Sequence, residues 1–483
     1  MSNKEIQKWL KENISNIKDT FHNTSDLVVR NIKVGLKESV EINIVYIDGI
    51  IDLDHVQEYV VKPLLEQFKT VDFKESLIDQ IVEKIIESTD VKTTNLYKEL
   101  TNAIAQGSTV LLVNGFPKGI IIPSPKWAER SIEETIGERS VRGPQIGLTE
   151  KMKTNINLIR SSLKTPDFCV ETLEFGSISP TSVSILYLEN IVDKGILKEV
   201  KKRLKSLDIK YVLSERVLED VLDGKPRSFF SRVRHSERID GVVSSLFEGR
   251  VAVIVDGYPF AIIAPALFID FIQAPDEYHI SPGRFTNRIM RLIAFILGIY
   301  LPGIYVALAN FHKADMPNKI TKAILSKDEL LPTFWEISIL LFLIKMLIDV
   351  SFRLPKSAVI LVSLIGTIVI GQTAVTAKLI HPVSLIVIGI STLSSFLVSN
   401  RGLVGADTIL RPVFLITANF FDFRGLIIAT TILIIYMASI KSVGIPYLSP
   451  LIPFKMKELK DTFYRGDLKK LINSKHTYTE EPD

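Results

Sequence analysis

The stretch TVLLVNGFPKGIIIP, Thr109 to Pro123, is matched further along the chain by VAVIVDGYPFAIIAP, Val251 to Pro265. The correspondence runs position by position: Val113 with Val255, Asn114 with Asp256, Gly115 with Gly257, Pro117 with Pro259, Pro123 with Pro265. An Asn-Gly or Asp-Gly step between two apolar runs is a strong hairpin signal, because a two-residue turn needs positive φ. Two such hairpins with the same flanks point to a duplicated unit.

A second pair supports this. INIVYIDGIID, Ile42 to Asp52, resembles VSILYLENIVD, Val183 to Asp193, with Tyr46 on Tyr187 and Asp52 on Asp193. Each reads as a buried strand followed by a polar helix: LDHVQEYVVKPLLEQF in one copy, KGILKEVKKRLKSL in the other. Strands joined through helices favour a sheet covered by helices, here with parallel-capable strands.

The whole chain is 483 residues, 47% hydrophobic, with a net charge of +4. That balance is apolar enough to demand a membrane part and gives no argument for nucleic acid. The single cysteine, Cys169, has no internal partner and reads as a small buried hydrophobe. The first 25 residues are charged throughout and lack the apolar core of a secretory signal, so a cytoplasmic start is expected.

Between the copies, Arg142-Gly143-Pro144 breaks the chain and Thr149 is placed to cap a helix with Met152, Ile156, Ile159 and Leu163 on one face. Arg142, Lys153 and Arg160 are candidates for an anion site; the plainer reading is a solvated linker helix with a packed apolar face. There is no GxxxxGK[ST] and no GxGxxG.

From about Phe285 the character changes. Leu292 to Phe311, Ser357 to Ala377 and Leu379 to Asn400 are uncharged runs of membrane length, and Gly425 to Ile440 makes another, extended backwards by Pro412 to Phe421. The first holds Pro302-Gly303. Thr333 to Val350 carries Glu336, Lys345 and Asp349 and reads as an interfacial or re-entrant helix. Arg284, Arg288 and Arg291 before the first span, and a basic tail after the last, put both termini on the cytoplasmic side. Ser363, Thr367, Gln372, Thr373 and Thr376 are pore-lining candidates; the alternative is hydrogen bonding to neighbouring helices or to their own backbone. No nucleophile–base set or metal-ligand spacing stands out, and His235, His279 and His381 are isolated, so neither an enzyme nor a cofactor is expected.

With these residues in view, the chain resembles the A subunit of bacterial spore germinant receptors, the GerA family. The likeness is carried by RSIEE (130–134), RGP with LTE and TNINLIR (142–160), EGRVAVIVDGYPFAIIAPALFIDFIQAPDEY (248–278), RLP (353–355), VIGQTAV (369–375) and GIPYLSPLIPF (444–454). The resemblance implies a subunit of a nutrient sensor in the inner membrane of the spore, with a cytoplasmic N-terminal domain. It implies work beside a membrane B subunit and a lipoprotein C subunit, and self-association into a ligand-gated ion channel. Gln145-Ile146, Asp349 to Phe352 and Ser399 to Pro412 depart from the family pattern.

The expected fold is an α/β cytoplasmic domain of two related subdomains plus an all-α transmembrane domain of 4–6 spans. The order is a polar segment (1–25), subdomain 1 (26–140), a linker helix region (141–168), subdomain 2 (169–285), a transmembrane helical domain (286–454) and a basic tail (455–483). Arg142, Gly143, Pro144, Thr149, Glu150, Asp256, Gly257 and Pro259 are the coupling or interface candidates. Two alternatives stay open: a sporulation membrane protein of the SpoVAF type, tied to dipicolinate release, and a secondary transporter.

Overall fold

The computed structural model describes residues 4–456 apart from 36–38, 68–76, 89, 128–137, 139–143, 145, 225–227, 274–283, 312–330, 352, 356–357, 361–365, 367–370, 399–400 and 455. The chain divides into two compact units. The first comprises Met1–Gly224 and Val233–Pro265 with the last nine residues; the second comprises Lys225–Arg232 and Ala266–Ser474.

In the first unit, α1 (Leu10–Thr20) leads into β1 (Leu27–Val34) and β2 (Val40–Ile47). Helical runs over 53–67 and 77–85 follow, then β3 (Lys92–Thr94), α2 (Tyr97–Ala105), β4 (Ser108–Val113) and β5 (Gly119–Pro123). The second copy has α3 (Met152–Ser162), β6 (Phe168–Phe175), β7 (Thr181–Leu188), α4 (Lys194–Lys205), α5 (Arg216–Asp223), β8 (Arg234–Ser236), α6 (Ile239–Phe247), β9 (Val251–Val255) and β10 (Ala261–Ala264). Each copy builds a five-stranded sheet, in the orders β1-β2-β4-β5-β3 and β6-β7-β9-β10-β8.

The two sheets share one topology, and all their strand pairs are antiparallel. This corrects the expectation of parallel-capable strands. The helical insertion follows β2, but β3 goes to the far edge beside β5, so β4 enters next to β2 in the opposite direction. Central strands β4 and β9 are buried at every residue, which is why they read as unbroken apolar runs. Each sheet has its own apolar core.

The quoted hairpins are also longer than a two-residue turn. Leu112 pairs with Gly119, and Ile254 with Ala261. At the tips Phe116 N–H donates to Val113 O (3.2 Å) and Tyr258 N–H to Val255 O (3.3 Å). Gly115 and Gly257 have φ of +88° and +89°, whereas Asn114 and Asp256 are not among the positive-φ residues. One positive φ at the third turn position is a type II turn, so glycine is the residue the conformation demands.

The repeat reaches further back than the sequence pairs suggested. In α1 the Asn13 amide forks the backbone of Gln7, accepting its N–H (2.9 Å) and donating to its O (2.7 Å). In α3, Asn155 does the same to Thr149 (2.7 and 2.6 Å). Isolated bridges Glu5↔Leu96 and Gly147↔Arg238 match in the same way. The N-terminal helix and the helix between the copies are therefore corresponding first elements of two units. Asp52 and Asp193 are matched too: each caps the helical run after its strand, accepting from His55 N (3.3 Å) and Ile196 N (2.9 Å).

In the second unit the long helices are α7 (Arg284–Phe311), α8 (Thr333–Ser351), α9 (Pro382–Leu397) and α10 (Arg401–Ser439), followed by a short hairpin of β11 (Lys441–Ser442) and β12 (Ile445–Pro446). Residues 229–232 pack with them: Phe230 is fully buried against Tyr447, and the Ser442 hydroxyl donates to Arg232 O (2.5 Å). Among the described residues, two helices are long and apolar enough to cross a membrane, Arg288–Phe311 and Gly405–Ser439. The second is not straight. Asp422 has φ 58° and ψ −153°, and a Cβ on Gly425 would lie 2.3 Å from Thr417 O. Residues eight apart in a straight helix are separated by about 12 Å, so the chain reverses at Asp422.

The side-chain contacts give the two directions. Arg411 reaches Gly298 and Asn310 bonds Asn419 (2.9 Å), so the arm over 401–421 runs along α7 in the same sense. Tyr300 bonds Thr430 (2.8 Å) while a Cβ on Gly303 would touch Leu426, so the arm over 423–439 runs back. The expected extension of the last span backwards through Pro412 to Phe421 is thus replaced by two arms. Their outer faces carry Ile409, Val413, Ile416, Phe420, Ile428 and Ile432, all exposed. An apolar surface of this extent calls for cover by protein or lipid.

The expected span Leu379 to Asn400 contracts to α9, because His381 and Pro382 start the helix: the His381 imidazole Nδ1 accepts Val383 N–H (3.1 Å). Ten of the 21 residues of the expected span Ser357 to Ala377 lie outside the described residues, and the helix described within it is short, Thr373–Thr376.

Cys169 is fully buried on β6, and burial, with Glu189 second, pushes its thiol up to about 12. At pH 8 only ~1 in 10⁴ of the thiol is then thiolate. A maleimide should leave the native chain unlabelled at that pH and label it fully in denaturant, read by intact-mass spectrometry; native labelling would show that β6 is not packed as described.

Candidate functional site

The helix expected to link the copies is instead the element that locks them together. One face of α3, with Ile156, Ile159 and the flanking Leu163, enters the core of the second copy. The other presents Lys153, Asn157 and Arg160, three to four residues apart, to the first copy. Arg160 is 1% exposed; its Nε and Nη2 hold both oxygens of Asp26 at 2.6 and 2.8 Å, and Nη2 also donates to Phe168 O at 3.2 Å. Lys153 pairs with Asp48 (2.8 Å), and the Asn157 amide donates to Lys126 O (3.0 Å) and to Gly49 O.

Beside Arg160, Thr24 Oγ1 bridges the copies, accepting Val170 N–H at 2.9 Å, while Ser25 N–H donates to Val170 O at 2.8 Å. The expectation of an anion site on this helix is corrected: Lys153 and Arg160 are occupied by Asp48 and Asp26. Arg142 lies outside the described residues.

The other coupling candidates gather at the start of α3, with one change of role. Thr149 does not cap the helix. Lys151 is the N-cap residue, with no side-chain cap of its own, and the donor at Met152 N is taken by Asp256 Oδ1 (3.1 Å) from the hairpin of the second copy. Gly257 N–H donates to Glu150 O (2.8 Å), and Thr149 is held by Asn155. The Asp-Gly turn therefore anchors α3 by its side chain and by its backbone. Pro259 follows in the loop, half-buried. Pro144 O accepts from Arg238 Nη2 (2.8 Å); Gly143 lies outside the described residues.

In the second unit a polar cluster sits among the apolar helices. Pro302, inside α7, has no N–H to give to the carbonyl four residues back. That carbonyl, Gly298 O, accepts instead from Ser391 Oγ of α9 (2.7 Å) and Arg411 Nε of α10 (2.8 Å). Arg411 is paired with Asp407 one turn earlier on its own helix, and Ser395 of α9 donates to Asp407. Ser391 is fully buried and Asp407 is 5% exposed. The pair cancels its own charge and satisfies a carbonyl that the surrounding apolar side chains cannot.

A second junction joins α8 to α9. Glu336 is 1% exposed and accepts the backbone N–H of His381. His381 is thus not isolated, and the charge on the first turn of α8 points into protein. Lys345 and Asp349 pair along the exposed part of α8 (2.9 Å). Of the pore-lining candidates, Ser363 and Thr367 lie outside the described residues. Gln372, Thr373 and Thr376 are exposed, and the Thr376 hydroxyl donates to Gln372 O (2.8 Å) in its own turn.

No sequence signal pointed to the Arg411–Asp407 pair. An Asp-x-x-x-Arg step is common on solvated helices, and only burial beside Pro302 gives it meaning.

Two outcomes follow. Asp26→Ala leaves the Arg160 guanidinium buried and unpaired, a loss of about 3 kcal/mol; hydrogen exchange at Ser25 and Val170 should accelerate by roughly 100-fold while the sheet interiors keep their protection. In the second unit, Pro302→Ala restores the helical partner of Gly298 O. Arg411→Met should then destabilise the detergent-solubilised protein less in the Pro302→Ala background than in the native one, by about 1 kcal/mol in a double-mutant cycle. Additive losses would mean that the two residues act independently.

The family model described as Bacillus/Clostridium GerA spore germination protein matches residues 15–477. The chain is 32% identical over 463 residues to spore germination protein KA of Bacillus subtilis, covering 95% of this chain and 85% of that protein. It is 30% identical over 482 residues to spore germination protein GerLA of Bacillus cereus, covering 99% and 97%. Stage V sporulation protein AF of Bacillus subtilis matches at 28% over 445 residues, covering 91% and 88%. Among solved structures, the N-terminal domain of the A subunit of the Bacillus megaterium germinant receptor GerK3 is 30% identical, covers 56% of this chain and 99% of that one, and has a TM-score of 0.45. With both halves of the chain inside the match, this protein belongs to the GerA family of spore germination proteins.

Proposed function

We propose that the chain is a non-enzymatic A-type subunit of a nutrient-sensing germinant receptor in the inner membrane of the spore. Its first unit faces the cytoplasm, and its membrane helices associate with copies of themselves as a ligand-gated ion channel beside B and C subunits. The observation that carries the reading is the end-to-end match to A-type germination proteins, which spans the paired sheets and the apolar helices alike.

The physical chemistry agrees with it. Exposed apolar faces on both arms of α10 call for lipid or protein cover. The hydroxyl and amide of Thr373 and Gln372 stand exposed near Lys378, where a water path needs uncharged polar groups. A ligand moves such a channel only by its differential affinity for closed and open states. A nutrient bound to a partner subunit therefore has to be felt through contacts that differ between those states.

The likeness to Stage V sporulation protein AF supports a second reading, in which the chain serves the dipicolinate-release system. Reconstitution in liposomes separates the two. Nutrient-dependent K⁺ or Na⁺ flux that needs the B and C partners is the outcome expected of a receptor subunit. Flux indifferent to nutrients but dependent on dipicolinate-channel components would favour the second reading, and saturable solute uptake without conductance steps would favour a transporter.

A further inference from the structure

The two copies differ most in the charge of one matched element. The helical run over 53–67, capped by Asp52, carries Asp54, Glu58 and Glu66 against one lysine, Lys62. Its counterpart α4, capped by Asp193, carries six basic side chains against Glu199 alone. The duplication has kept the fold and the cap while inverting the sign of the exposed face.

Each face has the anatomy of half an interface. On α4, Lys194 and Lys201 are held by Glu189 and Glu171, and Arg203 by Glu199. Lys198, Lys202 and Lys205 are exposed and, among the described residues, form no ion pair; their stems line a shallow groove floored by Leu197. On the 53–67 run, Glu58 and Glu66 act on the Lys62 ammonium, Glu58 by a direct contact of 2.8 Å, and Glu87 adds to them from outside the run. Amid these carboxylates stand three exposed apolar side chains, Leu53 (47%), Tyr59 (42%) and Leu65 (47%). Carboxylates and apolar side chains thus share one exposed face, and lysine stems suit such a face, covering apolar surface while their ammonium groups meet carboxylates.

We propose that the basic face of α4 docks on the acidic 53–67 face of a second copy of this chain. The contact is heterologous: it joins unlike faces and leaves every dimer with one free face of each sign. Successive copies therefore add head to tail until a ring closes or a filament grows. Glu58, Glu66 and Asp54 meet Lys198, Lys202 and Lys205, and Tyr59 and Leu65, flanking the carboxylates, pack against the lysine stems of α4. Because the contact is ionic, association weakens with salt. This inference rests on the self-association contained in the proposed function and names the surface that performs it.

The test uses the full chain in detergent, with mass photometry as the readout. Two variants are made, one K198E/K202E/K205E and the other E58K/E66K. Each alone should self-associate about tenfold more weakly than the native chain. Mixed in equal amounts, the two defective variants should assemble with each other, which misfolded chains would not do. A mixture that stays monomeric overturns the proposal, as do variants that keep the native oligomer. An oligomer that persists in every variant removes this contact but leaves self-association standing; a native chain that is monomeric even with B and C partners removes both. If the lysine variant keeps its mass and loses only binding to phosphatidylglycerol vesicles, the face is a lipid contact and the proposal fails.

Discussion

A single missing N–H organises the second unit. Pro302 leaves the Gly298 carbonyl without its helical donor, and a bare carbonyl among apolar helices costs more than a hydrogen bond is worth in water. The chain answers with Ser391 from α9 and Arg411 from α10. Arg411 in turn requires Asp407, and Asp407 is held by Ser395. Three helices are thereby tied at one point by groups that have no better partner nearby. Gly303, next to Pro302, completes the arrangement, since a side chain there would press within 3.1 Å of Phe414 O. Close backbone approach and a shared polar point are the two devices by which helices associate where the hydrophobic effect gives no help.

The first unit uses the opposite strategy. There the copies have separate apolar cores, and what joins them is polar: Arg160 on Asp26, Lys153 on Asp48, Thr24 on Val170. A buried ion pair contributes little net stability but penalises every arrangement that breaks it. Since α3 belongs to the second core and grips the first copy, the two copies cannot rotate about Phe168 without exposing Arg160. Both repeats lie within one compact unit.

The repeat was legible because hairpin tips and strand ends are read from contiguous residues. The Gly115/Gly257 and Asp52/Asp193 matches each express a local demand, a positive φ or an orphan helix donor. The start of the repeat was not legible, because α1 and α3 share only the Asn13/Asn155 fork and an apolar stripe, and a polar amphipathic helix looks the same whether it links or packs. Strand direction failed for a different reason: it depends on which edge β3 joins, a long-range choice that no window of sequence records. Apolar runs in the second unit were readable as runs. Their ends were not, since Asp422, His381 and Pro382 set them through backbone reversal and capping rather than through hydropathy. Arg411 was invisible as a site because its meaning lies in a proline more than a hundred residues away.

Duplication explains why the two faces of the first unit differ as they do. After a gene segment doubles, the residues that hold each sheet remain under the same packing constraint, so the cores stay apolar and the caps stay aspartate. Exposed positions on the 53–67 run and on α4 carry no such constraint, and identical charge on both would make successive chains repel. Opposite charge on equivalent helices converts the internal repeat of one chain into complementarity between chains. The asymmetry is thus a property of the pair of repeats that neither copy possesses alone.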